Sequence, residues 1–244
     1  MDERLSLFAI ADGMGGHNYG EVAAELALAT IQRYVDSSDR ADVTWPFGYD
    51  FSLTLDENRL ITAIQLANRH VWSRSGEASE YAGMGTTIAA VLVTGNKATV
   101  ASVGDSRVYL FRAGVLQPLT MDDTWVGAMV RQGSLDPSQV SQHPMRNVLT
   151  QAAGARETVD VQIFEETLLD GDLLLMSSDG LHGVVEEEQI RSILASAAGN
   201  GDALAESAAG LIQAAIDRGG PDNVSCILLR YSDQMNSSER AKAA

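Results

Sequence analysis

The chain has 244 residues, 45% of them hydrophobic, which supports one sizeable core and does not demand a second domain. Its 33 acidic and 17 basic residues leave a formal net charge of -16, which disfavours a nucleic-acid or anionic-membrane surface. Cys226 is the only cysteine, so no internal disulfide can form, and its place in NVSCILLRY predicts a buried strand residue. No stretch approaches the roughly 18 apolar residues of a membrane span. The opening MDERLSLF is acidic, unlike the basic start of a signal peptide, and a cytoplasmic location is expected.

In chain order, LFAIADG reads as a buried strand from Leu7 that stops at Asp12. The next segment, to about Ser37, has helical spacing through Val22, Leu26, Ala27 and Tyr34, with Glu21 near its start, where the helix dipole favours an acid. A second helix is expected from about Asp56, with Leu60, Ile64, Ala67 and Val71 on one face. The intervening SSDRADVTWPFGYDFSLT has no clear period and predicts a surface connection. From Thr86 the pattern becomes that of an antiparallel meander, with Gly95-Asn96 and Ala113-Gly114 as turns.

Residues 122–150 read as mainly helical or irregular, followed by a strand-like NVLT and a half-buried strand through Val159, Val161 and Ile163. Asp170-Gly171 turns the chain into DLLLMSSDG. Helices are expected near Glu186 to Ala197 and Asp202 to Arg218, then a last strand and a polar tail over 233–244. Helix pair, strands, helix pair and strand together predict an α+β domain with a β core covered by helices, over residues 1–232.

Four aspartates, Asp12, Asp105, Asp179 and Asp222, stand where apolar strands meet turns. A single Asp-Gly is ordinarily a turn, but four such positions are harder to dismiss. If the strand ends converge, either the carboxyl pKa values rise or cations neutralise the cluster. Oxygen-only ligands select hard ions, so Mg²⁺ or Mn²⁺ is expected; zinc is disfavoured, because His17, His70, His143 and His182 show no zinc-site spacing. Gly13, Gly15 and Gly16 would let backbone pass close to an ion. No P-loop, nucleophile elbow or calcium-binding loop is present in the sequence.

The pieces ADGMGGHNYGEVAAELA, GMGTTIAAVLV, ASVGDSRVYLFR, LTMDDTW, HPMRNVLTQAAGA, LLLMSSDGLHGVV and GGPDNVSCILL occur in this order. Together they resemble the metal-dependent Ser/Thr protein phosphatases of the protein phosphatase 2C (PPM) type in their bacterial form. The resemblance implies a four-layer α/β/β/α sandwich, two antiparallel sheets flanked by helix pairs, with two divalent metals at one end. Asp12 would bridge the metals, the Gly13 carbonyl would bind one, Asp179 and Asp222 would complete the other, and Asp105 would hold a third, weaker ion. No side chain would act as nucleophile, since the attacking group is a water activated between the metals. A mobile flap would cover residues 125–146. Phosphorylated Ser/Thr proteins would be the substrates and a Ser/Thr kinase the opposing partner.

Two departures accompany the likeness. The family opens with a strand bearing a phosphate-gripping Arg and a following acidic cluster, which Met1 to Arg4 do not reproduce, so an N-terminally incomplete domain with unpaired sheet edges is expected. Met14 stands where eukaryotic members carry a histidine, as in bacterial relatives. A catalytically weak or inactive module that binds a phosphoprotein or regulator is the alternative reading. His17 is read as a helix-start residue, His70 and His143 as solvated, and His182 as either bonded near the site or a cap. Met121, Met129 and Met145 are read as flap residues, with core packing the commoner role for such side chains.

Overall fold

The computed structural model describes residues 1–15, 19–38, 43–198 and 203–233. Gly16, His17, Asp202 and the tail from 234, each given an expectation above, lie outside the described residues. The elements in chain order are β1 (Leu7–Ile10), β2 (Gly13–Met14), α1 (Tyr19–Ser37), α2 (Leu55–Ser75), β3 (Gly85–Thr86), β4 (Ile88–Thr94), β5 (Lys97–Val103), β6 (Arg107–Arg112) and β7 (Val115–Pro118). They continue with α3 (Trp125–Arg131), β8 (Gln162–Thr167), β9 (Leu173–Ser177), α4 (Asp179–His182), α5 (Glu187–Ala198), α6 (Ala203–Ile216) and β10 (Cys226–Arg230).

Two four-stranded antiparallel sheets, ordered β1-β4-β5-β8 and β10-β9-β6-β7, make the centre. The period-2 alternation of each strand assigns its two faces. On β4, Ile88, Ala90 and Leu92 pack toward α1 and α2, whereas Ala89 and Val91 point to the second sheet. On β9, Leu173 and Leu175 pack toward α5 and α6, whereas Leu174 and Met176 meet the first sheet. The result is the expected helix, sheet, sheet, helix layering with three apolar layers between. No helix among the described residues is long and apolar enough to cross a membrane.

The second helix buries all four expected residues, Leu60, Ile64, Ala67 and Val71. Its start is fixed by a capping box in which Thr54 and Glu57 satisfy each other's backbone amides. In α1 the buried stripe runs through Ala23, Ala27, Ile31, Tyr34 and Val35, with Val22 and Leu26 only partly buried. The inner face is therefore small in its first half, at Ala23 and Ala27, and large in its second, at Ile31, Tyr34 and Val35.

Three local expectations differ from the structure. Cys226 is half-buried because β10 is an edge strand, paired with β9 alone. NVLT supplies a single bridge, Leu149 to Thr124, and the strand expected from Val159 begins only at Gln162. Met121 and Met145 are exposed. Among the described residues β1 and β8 are the edge strands of the first sheet, and β10 and β7 those of the second.

Candidate functional site

Strand register brings the four aspartates to one end of the sandwich. In the second sheet Ser177 lies opposite both Arg107 and Cys226. Asp179 follows Ser177 by two residues and Asp105 precedes Arg107 by two, while Asp222 stands on the loop entering β10. In the first sheet Ile10 is opposite Ala89, so Asp12 leaves β1 beside Thr87. The β5–β6 turn that carries Asp105 crosses from the first sheet to the second at this same end.

Asp12 is held by its backbone. Its carbonyl accepts from the Thr87 amide at 2.8 Å and the Thr86 hydroxyl at 2.9 Å, and its amide donates to Thr87 Oγ1 at 3.1 Å. Gly13 then pairs with Thr86 across β2 and β3. A Cβ on Gly13 would enter the Gly20 carbonyl, and one on Gly20 would meet Gly13 in turn, so two glycines permit the strand and the first turn of α1 to touch. On the other sheet, a Cβ on Gly180 would enter the Asn223 carbonyl, which fixes Asp179 against the loop bearing Asp222.

The electrostatics of this end are those of crowded like charges. Burial, then the Asp179 carboxylate and Asp222, push Asp12 up to about 7. Burial, then Asp179 and Asp122, push Asp105 up to about 7 as well. Asp179 Oδ1 is buried and has no hydrogen-bond partner. These observations fit a divalent-cation site: the donors are all oxygens, one is left unsatisfied, and the ionised forms lack a counter-charge. Among the described residues no three His, Cys, Asp or Glu side chains enclose an ion by themselves. Carbonyl oxygens and water would therefore complete any shell, as Mg²⁺-type ions prefer.

A cleft of about 440 Å³ is lined by Asp105, Asp179, Arg107, Asp122, Arg146 and Asn147. Its walls include residues to which the sequence reading gave no role. Arg107 grips Asp122 through two bonds and donates to the Tyr109 hydroxyl at 2.8 Å. Asp123, 6% exposed, accepts from the Gly104 amide at 3.0 Å, Gln151 Nε2 at 2.8 Å and Gln162 Nε2 at 2.9 Å. The turn that holds Asp105 is thereby tied to the segment entering α3. A second tie runs from Thr87 Oγ1 to Ser106 Oγ, 2.7 Å apart. The adjacent acids in LTMDDTW were the only sequence signal for these roles.

The histidines separate. His182 bonds through Nδ1 to the Ser177 hydroxyl at 3.0 Å, and burial, with Arg107 nearby, lowers it to about 3. It is a neutral, bonded side chain beside the cleft. His143 stacks on Trp125 with centroids 5.4 Å apart, and His70 meets Thr30 Oγ1 at 3.1 Å on the outer surface.

The family model described as Protein phosphatase 2C matches residues 1–210. The Serine/threonine protein phosphatase PstP of Mycobacterium tuberculosis is 34% identical over 227 residues, which is 93% of this chain and 40% of PstP. This chain thus spans less than half of that relative. Protein phosphatase PhpP of Streptococcus pneumoniae is 30% identical over 232 residues, covering 94% of this chain and 87% of PhpP. Among solved structures, the M. tuberculosis PstP/Ppp crystal structure has a TM-score of 0.79 at 34% identity, covering 93% of this chain and 88% of that one. The PstP catalytic domain in complex with two manganese ions has a TM-score of 0.76 at 33% identity, with the same coverages of 93% and 88%. With a family match over most of its length and these identities, the chain belongs to the protein phosphatase 2C family.

Proposed function

We propose that this chain is a metal-dependent phosphoprotein phosphatase that hydrolyses phosphoserine and phosphothreonine. The observation that carries the reading is the gathering of Asp12, Asp105, Asp179 and Asp222 at one end of the sandwich, with Asp179 Oδ1 buried and unsatisfied. Asp12, the Gly13 carbonyl, Asp179 and Asp222 would hold two Mn²⁺ or Mg²⁺ ions and Asp105 a third, weaker one, and the complex of the PstP catalytic domain with two manganese ions supports the first pair. When bound, such ions supply positive charge against the phosphate oxygens and acidify a water so that it attacks near neutral pH.

The chain's own residues provide placement. Thr86 and Thr87 lock the Asp12 backbone, and the Arg107 and Asp123 contacts fix the turn that presents Asp105. Arg146 lines the same cleft as Asp105 and Asp179 and adds a positive charge to it. Burial and Arg107 hold His182 in its neutral form, so it is not an imidazolium acid at neutral pH. The expected setting is the cytoplasm, opposite a Ser/Thr kinase whose products are the substrates.

The test is hydrolysis of para-nitrophenyl phosphate and a phosphothreonine peptide with Mn²⁺, then with excess chelator. Turnover that requires Mn²⁺ is expected. A folded protein that binds Mn²⁺ and turns over neither compound would overturn the enzymatic reading in favour of a binding module.

A further inference from the structure

The α1–α2 connection, expected only to cross the surface, is built around aromatic rings. Tyr34, in the buried face of α1, meets Trp45 edge-on at 6.2 Å; Trp45 meets Tyr49 at 5.0 Å; Tyr49 meets Phe51 at 5.1 Å. This ladder leads from the core outward and ends on Phe51, whose side chain is 91% exposed. Packing of the fold does not explain a phenyl ring held in water at the end of a fixed series.

The segment is also firmly anchored. Asn58, buried on α2, donates to the carbonyls of Asp50 and Thr54, each at 2.9 Å, and accepts from the Asp50 amide at 2.8 Å. Asp50 Oδ1 accepts from the Ser52 amide at 2.8 Å and its hydroxyl at 2.6 Å, which favours the ionised form. Between this turn and α2 lies a concavity of about 550 Å³, lined by Phe47, Tyr49, Asp50, Phe51 and Ile61. One guanidinium already uses an aromatic face here, with Arg69 Cζ 4.9 Å from the Phe47 ring centroid.

We infer that this concavity is a docking site for an extended basic segment of a partner protein, seating an Arg or Lys side chain between the Tyr49 and Phe51 rings and the Asp50 carboxylate. Charge complementarity selects the occupant: the ring faces attract a cation, Asp50 supplies the counter-charge, and the chain as a whole carries a net charge of -16. The methylene stem of such a residue lies along the rings while its head stays hydrated.

The position matters. Gly13, next to Asp12, touches Gly20 in the first turn of α1, whereas the concavity is lined by the early turns of α2 and by the connection whose Trp45 meets Tyr34 near the C-terminal end of α1; a helix of 19 residues spans about 28 Å. A substrate could occupy both only through at least about nine extended residues. Its role as a substrate dock rests on the phosphatase reading, whereas the binding itself does not.

Two measurements test it. An unphosphorylated twelve-residue peptide with a central Arg-Arg in a Gly/Ser/Ala background is titrated by calorimetry, against a Gln-Gln counterpart. The Arg peptide is expected to bind with or without chelator, the Gln peptide not, and Phe51→Ala and Asp50→Asn each to weaken binding about fivefold. Phe51→Ala leaves the charge unchanged, so equal binding by that variant would reveal diffuse attraction and overturn the proposal. Absence of Arg-peptide binding, or equal binding of the Gln peptide, would overturn it too. In the second measurement, an Arg-Arg placed twelve residues from a phosphothreonine is expected to lower KM in the parent chain but not in Phe51→Ala, with para-nitrophenyl phosphate turnover the same in both. Peptide binding without any turnover would fault the enzymatic reading and leave the dock standing.

Discussion

Arg107 Nε and Nη2 meet Asp122 Oδ1 and Oδ2 at 2.8 and 2.7 Å, a planar two-bond grip just before α3. Both side chains are mostly shielded, at 24% and 21% exposure, so the pair is stronger than a surface ion pair. Arg107→Met is expected to cost about 2 to 3 kcal/mol and to lower Tm by about 5 to 10 °C, measured by calorimetry. Arg107→Lys recovers the charge without the fork and should recover less than half of the loss.

Asp123 gathers a backbone amide and two glutamine amides in a buried setting. Asp123→Ala leaves all three donors without their acceptor and is expected to destabilise the fold by about 3 kcal/mol in urea titration. Because Gly104 precedes Asp105, Mn²⁺ affinity should fall as well. An unchanged urea midpoint would refute the structural account.

Removing one member of the acidic cluster should affect activity and stability in opposite directions. Asp179→Asn is expected to reduce Mn²⁺-dependent turnover at least about a hundredfold. In chelator the same variant should be as stable as the parent or more so, since Asp12 loses a like-charged neighbour. Thermal melts with and without Mn²⁺ decide both.

The pH dependence of the metal-free protein has a definite sign. Asp12 and Asp105 titrate near 7 when folded and near 3.8 when unfolded, so over that window the folded chain binds the extra protons and gains stability as pH falls. His182 opposes this below about 6.5, where only the unfolded chain protonates it. Two groups outweigh one, and melts in chelator should rise from pH 7.5 to 5.5. Saturating Mn²⁺ keeps the carboxylates ionised and leaves the histidine term, so melts in Mn²⁺ should fall over the same range.

The four aspartates were legible because each stands where an apolar strand meets a turn, and the layering because strand alternation and the helical stripe of Leu60, Ile64, Ala67 and Val71 are local patterns. Asp123 was not legible as a support, and for His182 the sequence left a bond near the site and a cap equally open. Their partners, from Ser177 to Gln162, are fixed by tertiary contacts, and nothing in a neighbouring stretch marks a carboxylate as a hub. Cys226 was placed too deep for a related reason: composition shows an apolar strand but not that it stands at a sheet edge. The aromatic connection lacked any period, and periodicity is blind to rings that meet edge to edge.

Three of the four carboxylates are divided between the two sheets, Asp12 on the first and Asp179 and Asp222 on the second, with Asp105 on the turn that links them, so their separation is set by the thickness of the apolar layer between. Ala89, Val91, Val108, Leu174 and Met176 thus act as the gauge blocks of a caliper whose jaws are acidic. A methylene gained or lost there shifts the jaws without touching them. Ion affinity then becomes a ruler for interior compaction: loosening of the sandwich by pressure should release the ions while the strands themselves are still intact.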